Sequence, residues 1–177
     1  MTYEQANNVK ELASPVIKVL ERLKVECPEC KGIGSISVPQ IYTNPVQGFC
    51  PACKGKGKIK WKWQPKWLDL VIYNNEIWEV GYYDGEDSRI YIRNNIGEQD
   101  RILPSEAIPI IPWETIERVL EKAGYELHIQ KWYRGVKCQI FEIEEFFKAP
   151  LAVILREDIT VQESVMLAVL ELGEELK

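Results

Sequence analysis

Cys27-Pro28-Glu29-Cys30-Lys31-Gly32-Ile33-Gly34 and Cys50-Pro51-Ala52-Cys53-Lys54-Gly55-Lys56-Gly57 decide how this chain is read. The two stretches match at six of eight positions and form the one clear internal repeat of the sequence. A Cys-x-x-Cys turn brings two sulfurs to one ion, and two such turns supply the four corners of a tetrahedron. The expected ligands are therefore Cys27, Cys30, Cys50 and Cys53, and the expected cofactor is one structural Zn²⁺. Four thiolates close the shell and leave no place for a reactive water, which argues against a catalytic metal. Gly32 and Gly55 each lie two residues after a second cysteine. A backbone without Cβ can turn there with positive φ and present N–H groups to sulfur. The same cysteines also admit two disulfides, a single iron or free thiols.

The start of the chain, Met1-Thr2-Tyr3-Glu4-Gln5, shows no basic region followed by an apolar stretch, so no secretory signal is expected. No apolar run approaches the ~20 residues of a membrane helix. The expectation is a cytoplasmic protein without membrane contact, in which thiols stay reduced and disulfides are disfavoured. Hydrophobic residues make up 46% and charged residues 28%, which suits a folded globular chain rather than a disordered one.

The net charge of -5 is unevenly spread. Residues 27–67 hold seven lysines against one acid, Glu29, whereas residues 68–177 hold 22 acids against 11 basic groups. Different roles for the two parts follow from that asymmetry. After the second cysteine pair, Lys54, Lys56, Lys58, Lys60 and Lys62 interleave with Trp61 and Trp63, and Lys66 and Trp67 continue the run. On a strand, Lys58, Lys60 and Lys62 share one face, and Ile59, Trp61 and Trp63 share the other. Such lysines can neutralise phosphates and exposed indoles can stack on bases, so Lys54, Lys56, Lys58, Lys60, Lys62, Trp61 and Trp63 are the candidate nucleic-acid-binding residues. The plainer reading is a solvated lysine face with the indoles packed inward.

The repeat Cys-x-x-Cys-x-Gly-x-Gly resembles the cysteine-rich zinc domain of DnaJ-type chaperones over residues 27–57. That family carries four copies and two zinc ions; two copies here imply one. The family's helical domain with its His-Pro-Asp motif has no counterpart in this sequence. The resemblance implies a zinc-ribbon-like hairpin scaffold, which in that family helps to bind unfolded polypeptide.

Outward from this module, Val9, Leu12, Ala13, Val16, Leu20 and Leu23 recur at helical spacing, with Thr2 as a candidate cap. Ser14-Pro15 predicts a break or kink. Residues 68–111 alternate short strand patterns with turns at Asn74-Asn75, 84–87 and 94–97. They resemble a Src-homology-3-like small barrel through Asn74-Asn75-Glu76-Ile77-Trp78-Glu79-Val80, Ile90-Tyr91-Ile92 and Leu103-Pro104-Ser105-Glu106-Ala107-Ile108. Tyr82, Tyr83 and Tyr91 are candidates for a binding surface there. Farther on, a helix at Trp113 to Ala123 precedes a hairpin of Glu126 to Trp132 with Val136 to Ile143. A last helix follows a capping box at Thr160-Val161-Gln162-Glu163. Residues 113–177 resemble small α+β domains of uncharacterised bacteriophage and prophage proteins, which implies a phage or mobile-element accessory role. His128 and Cys138 could face each other across the hairpin as base and nucleophile, but no third group to orient them is evident.

The expected architecture is α+β and multi-module. It comprises an N-terminal helical segment (1–26), a four-cysteine zinc ribbon (27–67), a small β barrel (68–112) and a two-layer helix-strand-strand-helix unit (113–177). The expected function is that of a non-enzymatic zinc-ribbon protein that contacts DNA or RNA through its Lys/Trp strand. Its acidic C-terminal part would then meet a protein partner or a second copy. The alternative is a protein–protein adaptor in which zinc is purely structural.

Overall fold

The computed structural model describes residues 1–38, 46–84, 87–133, 135–143 and 149–177. Parts of the expected turns at 84–87 and 134–135, and Glu144 and Glu145, lie outside the described residues. Among the described residues the chain is mixed α and β, with three α-helices and four antiparallel sheets.

Helix α1 spans Tyr3–Leu20. Thr2 caps it in a reciprocal box: its hydroxyl accepts from the Gln5 N–H at 3.2 Å, and the Gln5 side chain accepts from the Thr2 N–H at 3.0 Å. Of the break or kink expected at Ser14-Pro15, the break does not occur: one helix runs through Pro15. Proline inside a helix costs roughly 3 kcal/mol. Ala6, Val9, Ala13, Val16, Val19 and Leu20 are all buried along one stripe, and each larger apolar side chain returns roughly 1.5–3 kcal/mol. Continuous burial outweighs the local defect.

Strand β1 (Lys24–Glu26) pairs with β4 (Lys58–Lys60), and β2 (Ser35–Val38) pairs with β3 (Val46–Phe49). These two small ladders carry the cysteine turns between them. The strand pattern expected from Lys58 to Trp63 ends at Lys60, where β1 stops offering partners.

The next five strands are β5 (Leu70–Tyr73), β6 (Glu76–Asp84), β7 (Arg89–Asn94), β8 (Gln99–Ile102) and β9 (Ile108–Ile110), with a 3₁₀ turn at Pro104–Glu106 before the last. They form one sheet in the order β8-β7-β6-β5-β9. A register shift between Val80 and Tyr82 marks a bulge at Gly81 in β6.

The C-terminal part departs from the expected helix-strand-strand-helix order. Between α2 (Trp113–Ala123) and α3 (Val161–Glu175) lie three strands, β10 (Tyr125–Trp132), β11 (Gly135–Glu142) and β12 (Ala152–Glu157). The extra strand β12 pairs with β11 at the sheet edge. Its sequence, Ala152-Val153-Ile154-Leu155, lacks polar alternation, and Leu155 remains 63% exposed on the outer side. The outward positions Val153 and Leu155 are apolar like the inward ones, so the alternation that marks a half-buried strand is lost. As expected, Gly124 ends α2 in a left-handed conformation, φ 95°. Thr160 caps α3, its hydroxyl accepting from the Glu163 N–H at 3.1 Å.

The largest core joins the buried faces of all three helices to β1, to Leu70, Ile72 and Ile110 of the five-stranded sheet, and to Leu127, Val136, Cys138, Ile140 and Ala152 of the three-stranded one. A second core, around Val71, Trp78, Val80, Ile90, Ile92 and Ile102, fills the other side of the five-stranded sheet. Gly173 on α3 faces Val19 on α1 so closely that a Cβ there would meet the valine side chain.

Candidate metal centre

Each cysteine pair sits in a turn that the repeat builds twice. The Gly34 N–H donates to Cys30 Sγ and the Gly57 N–H donates to Cys53 Sγ, both at 3.2 Å. The Cys27 N–H donates to the Gly57 carbonyl at 2.8 Å, and the Cys50 N–H donates to the Gly34 carbonyl at 2.9 Å. Each turn therefore hydrogen-bonds to the exit of the other, a local two-fold relation that follows from the sequence repeat. Gly34 has φ 82° and Gly57 φ 72°. A Cβ on Gly34 would run into the Gly55 carbonyl oxygen, and one on Gly57 into the Gly32 carbonyl oxygen. Gly32 and Gly55 do take positive φ, as expected, but the N–H groups that reach sulfur belong to Gly34 and Gly57.

All four sulfurs are buried and lie within 4.8 Å of one another. Cys27 Sγ is 3.8 Å from Cys50 Sγ, and Cys30 Sγ is 3.6 Å from Cys53 Sγ. A tetrahedron with metal–sulfur bonds of ~2.3 Å has edges of about 3.8 Å, so one thiolate-loving ion fits the cluster. At these separations the sulfurs are not bonded to each other, and all four cysteines are free thiols. Burial pushes the Cys53 thiol up, but the Gly57 N–H and the neighbouring sulfurs more than reverse this, and it drops to about 7. The Cys50 thiol goes the other way, to about 12: the Cys53 N–H lowers it, and burial and the adjacent thiols overrule that. Crowded thiols that cannot all ionise together are what a cation relieves. Glu29 stands 3.8 Å from Cys50 Sγ. Among the described residues only Ile36 and Ile59 pack against the cysteine cluster as partly buried apolar groups, so the module has little core of its own.

The structure exposes Lys54, Lys56, Lys58, Lys60 and Lys62, while Ile59, Trp61 and Trp63 are half-buried beneath them. Both indoles pack on the largest core. Trp63 also touches the second core, and its Nε1 donates to Asp69 Oδ2 at 3.0 Å. The same oxygen accepts the Lys66 N–H at 2.9 Å, so Asp69 straps the segment after β4 to the five-stranded sheet. Burial raises the Asp69 carboxyl above its ordinary range, and the Lys66 N–H and the indole N–H offset part of that rise. Lys60, Lys62, Trp61 and Trp63 line a cleft together with Arg118 and Lys122 of α2. Sequence reading did not bring α2 to this surface, because its lysine-rich neighbour is more than 50 residues away along the chain.

His128 and Cys138 do not meet as a pair. In the register of β10 and β11, His128 stands opposite Gln139, and Cys138 opposite Ile129. Alternation puts the two side chains on opposite faces of the sheet, with His128 outside near Glu126 (Nε2–Oε1 2.9 Å) and Cys138 fully buried. Burial pushes the Cys138 thiol up to about 11, which suits a small core side chain and not a nucleophile. Tyr82 and Tyr91 stack at 4.1 Å on the outer face of the five-stranded sheet, with the Arg101 guanidinium over Tyr91. The Tyr83 side chain lies outside the described residues.

No helix among the described residues is long and apolar enough to cross a membrane. In comparisons with known proteins, no family model, no curated protein and no solved structure matches this chain.

Proposed function

We propose that the chain is a non-enzymatic binding protein in which Cys27, Cys30, Cys50 and Cys53 hold one structural zinc, and the lysine-rich strand that follows contacts DNA or RNA. An all-thiolate set with sulfur separations of 3.6 and 3.8 Å supports zinc in a closed shell. The order β9-β5-β6-β7-β8, with a 3₁₀ turn before the closing strand, supports the reading of residues 68–112 as a small Src-homology-3-like barrel. The observation that carries the nucleic-acid reading is the exposure of Lys58 and Lys60 on β4 and of Lys62 just beyond it, beside indoles anchored in the core. Lys58 and Lys60 stand two strand residues apart, roughly 6.6 Å along the β4 backbone, so their ammonium groups can reach neighbouring phosphates.

The test is fluorescence anisotropy of zinc-loaded protein with labelled single- and double-stranded DNA and RNA over a salt series. Binding should weaken steeply with salt, and the triple variant Lys58→Glu/Lys60→Glu/Lys62→Glu should lose it while melting as the parent does. Unchanged affinity in that variant contradicts the reading.

A second reading, a protein adaptor, draws on the outer side of the three-stranded sheet, where Leu155 is 63% exposed, and on the turn after β10, where Tyr133 is 95% exposed. Its mark is a stoichiometric protein partner whose co-purification survives nuclease treatment.

A further inference from the structure

The lysine face explains attraction to phosphate but assigns no place to a base. The cleft beside it does. It has a volume of about 470 Å³ and lies between the strand after the cysteine module and the outer side of α2. One wall is Lys60, Trp61 and Lys62; the other is Arg118 and Lys122, four residues apart and therefore on one face of α2. Lys66 also lines it. These five cations outnumber the two carboxylates that line the cleft, Glu26 and Asp69. Asp69 is already engaged by the Trp63 indole and the Lys66 N–H. The floor is apolar, made by Val25, Ile59 and Val119. A flat, weakly polar group on this floor, with anionic groups at its rim, matches the shape and charge of the walls.

We infer that this cleft is a nucleotide subsite. One base of a single-stranded nucleic acid lies against Trp61, and its flanking phosphates are held by Lys60 and Lys62 on one side and Arg118 and Lys122 on the other. The inference rests on the nucleic-acid reading above and deepens it. It adds α2 to the interface and gives single strands an advantage over duplexes, because a paired base cannot enter the cleft. Arg118 is held in place for a phosphate contact. Its Nε donates to the Glu114 carbonyl at 3.1 Å and its Nη2 to Thr115 Oγ1 at 3.2 Å, which fixes the guanidinium against α2. An RNA and a DNA strand present the same base and phosphate chemistry here.

Three variants of the full zinc-loaded chain test the subsite with labelled twelve-nucleotide single-stranded DNA and RNA: Arg118→Glu/Lys122→Glu, Trp61→Leu, and Lys18→Glu/Lys131→Glu as an exposed control of equal charge change outside the cleft, which should bind as the parent does. Arg118 and Lys122 are exposed, and a melting temperature equal to that of the parent is the check that their reversal leaves the fold intact. The α2 variant should bind at least about tenfold more weakly at low salt, and its salt slope should shrink by about 1.4 for the two lost phosphate contacts. Trp61→Leu should weaken binding at least about fivefold with the slope unchanged. The parent should prefer single strands over the matching duplex, and polyglutamate should fail to displace them. Equal loss from DNA and RNA marks base and phosphate as the contacts; loss from RNA alone overturns the subsite, since its base and phosphate contacts are common to both strands. If the α2 variant binds like the parent while the Lys58/Lys60/Lys62 variant does not, the cleft inference falls and the lysine reading stands. Equal displacement by polyglutamate also overturns it, since the cleft would then read charge alone. If the parent binds no nucleic acid at low salt, both fall together.

Discussion

At the residue scale, the four-cysteine cluster is a problem of close approach. Two turns must bring four sulfurs to within one ion's reach, and the backbone between them must then leave without a clash. Gly34 and Gly57 solve this by combining a left-handed backbone with a carbonyl oxygen lying where a Cβ would sit. Alanine at either position meets both obstacles. We expect Gly57→Ala to cost roughly 2 kcal/mol or more in thermal unfolding of the metal-loaded chain. Alanine at the exposed Gly97, where a Cβ meets nothing within 4 Å, should cost only the left-handed strain of ~1–2 kcal/mol. Equal melting shifts for the two variants would contradict this view of the turns. The clustering of Cys27, Cys30, Cys50 and Cys53 was legible in the sequence because the spacing of each pair is itself the geometry. The N–H donors were less so: both glycines of a copy look alike in sequence, and only the fold of the turn decides that the second one faces sulfur.

At the element scale, tertiary contacts decide what local sequence leaves open. Pro15 reads as a helix break, yet an uninterrupted apolar stripe on both sides of it holds α1 together. Helix α2 begins after Pro112, whose side chain makes no capping hydrogen bond. The cap comes from α3. Gln162, only 8% exposed, accepts from the Trp113 N–H through Oε1 and donates to the Ile111 carbonyl through Nε2, each at 2.8 Å. Sequence reading saw Gln162 only as an interior position of a capping box, because its partners are about 50 residues away. Gln162→Ala leaves a donor and an acceptor unmatched inside the protein. It should therefore destabilise the chain by roughly 2–4 kcal/mol, with faster amide exchange at Trp113. A change below ~0.5 kcal/mol would show that water replaces both contacts.

At the scale of the whole molecule, two side chains join what the sequence presents as modules. Ile59 packs on both the cysteine cluster and the largest core, and Trp63 packs on both the largest core and that of the five-stranded sheet. The residues singled out as a lysine and tryptophan stretch thus alternate between solvent and joints, which a period-two pattern reveals. The pattern could not reveal the cleft, whose second wall is α2. The proposed binding surface depends on the cysteine turns being held by a metal, since they have almost no apolar core to hold them otherwise. Native mass spectrometry of the full chain purified under reducing conditions tests that dependence at its root. One zinc per chain is expected, retained until the four cysteines are alkylated or the ion is chelated. A chain that carries no metal with its thiols intact, or that is lighter by the hydrogens of two disulfides, or that holds iron alone, would refute the zinc centre.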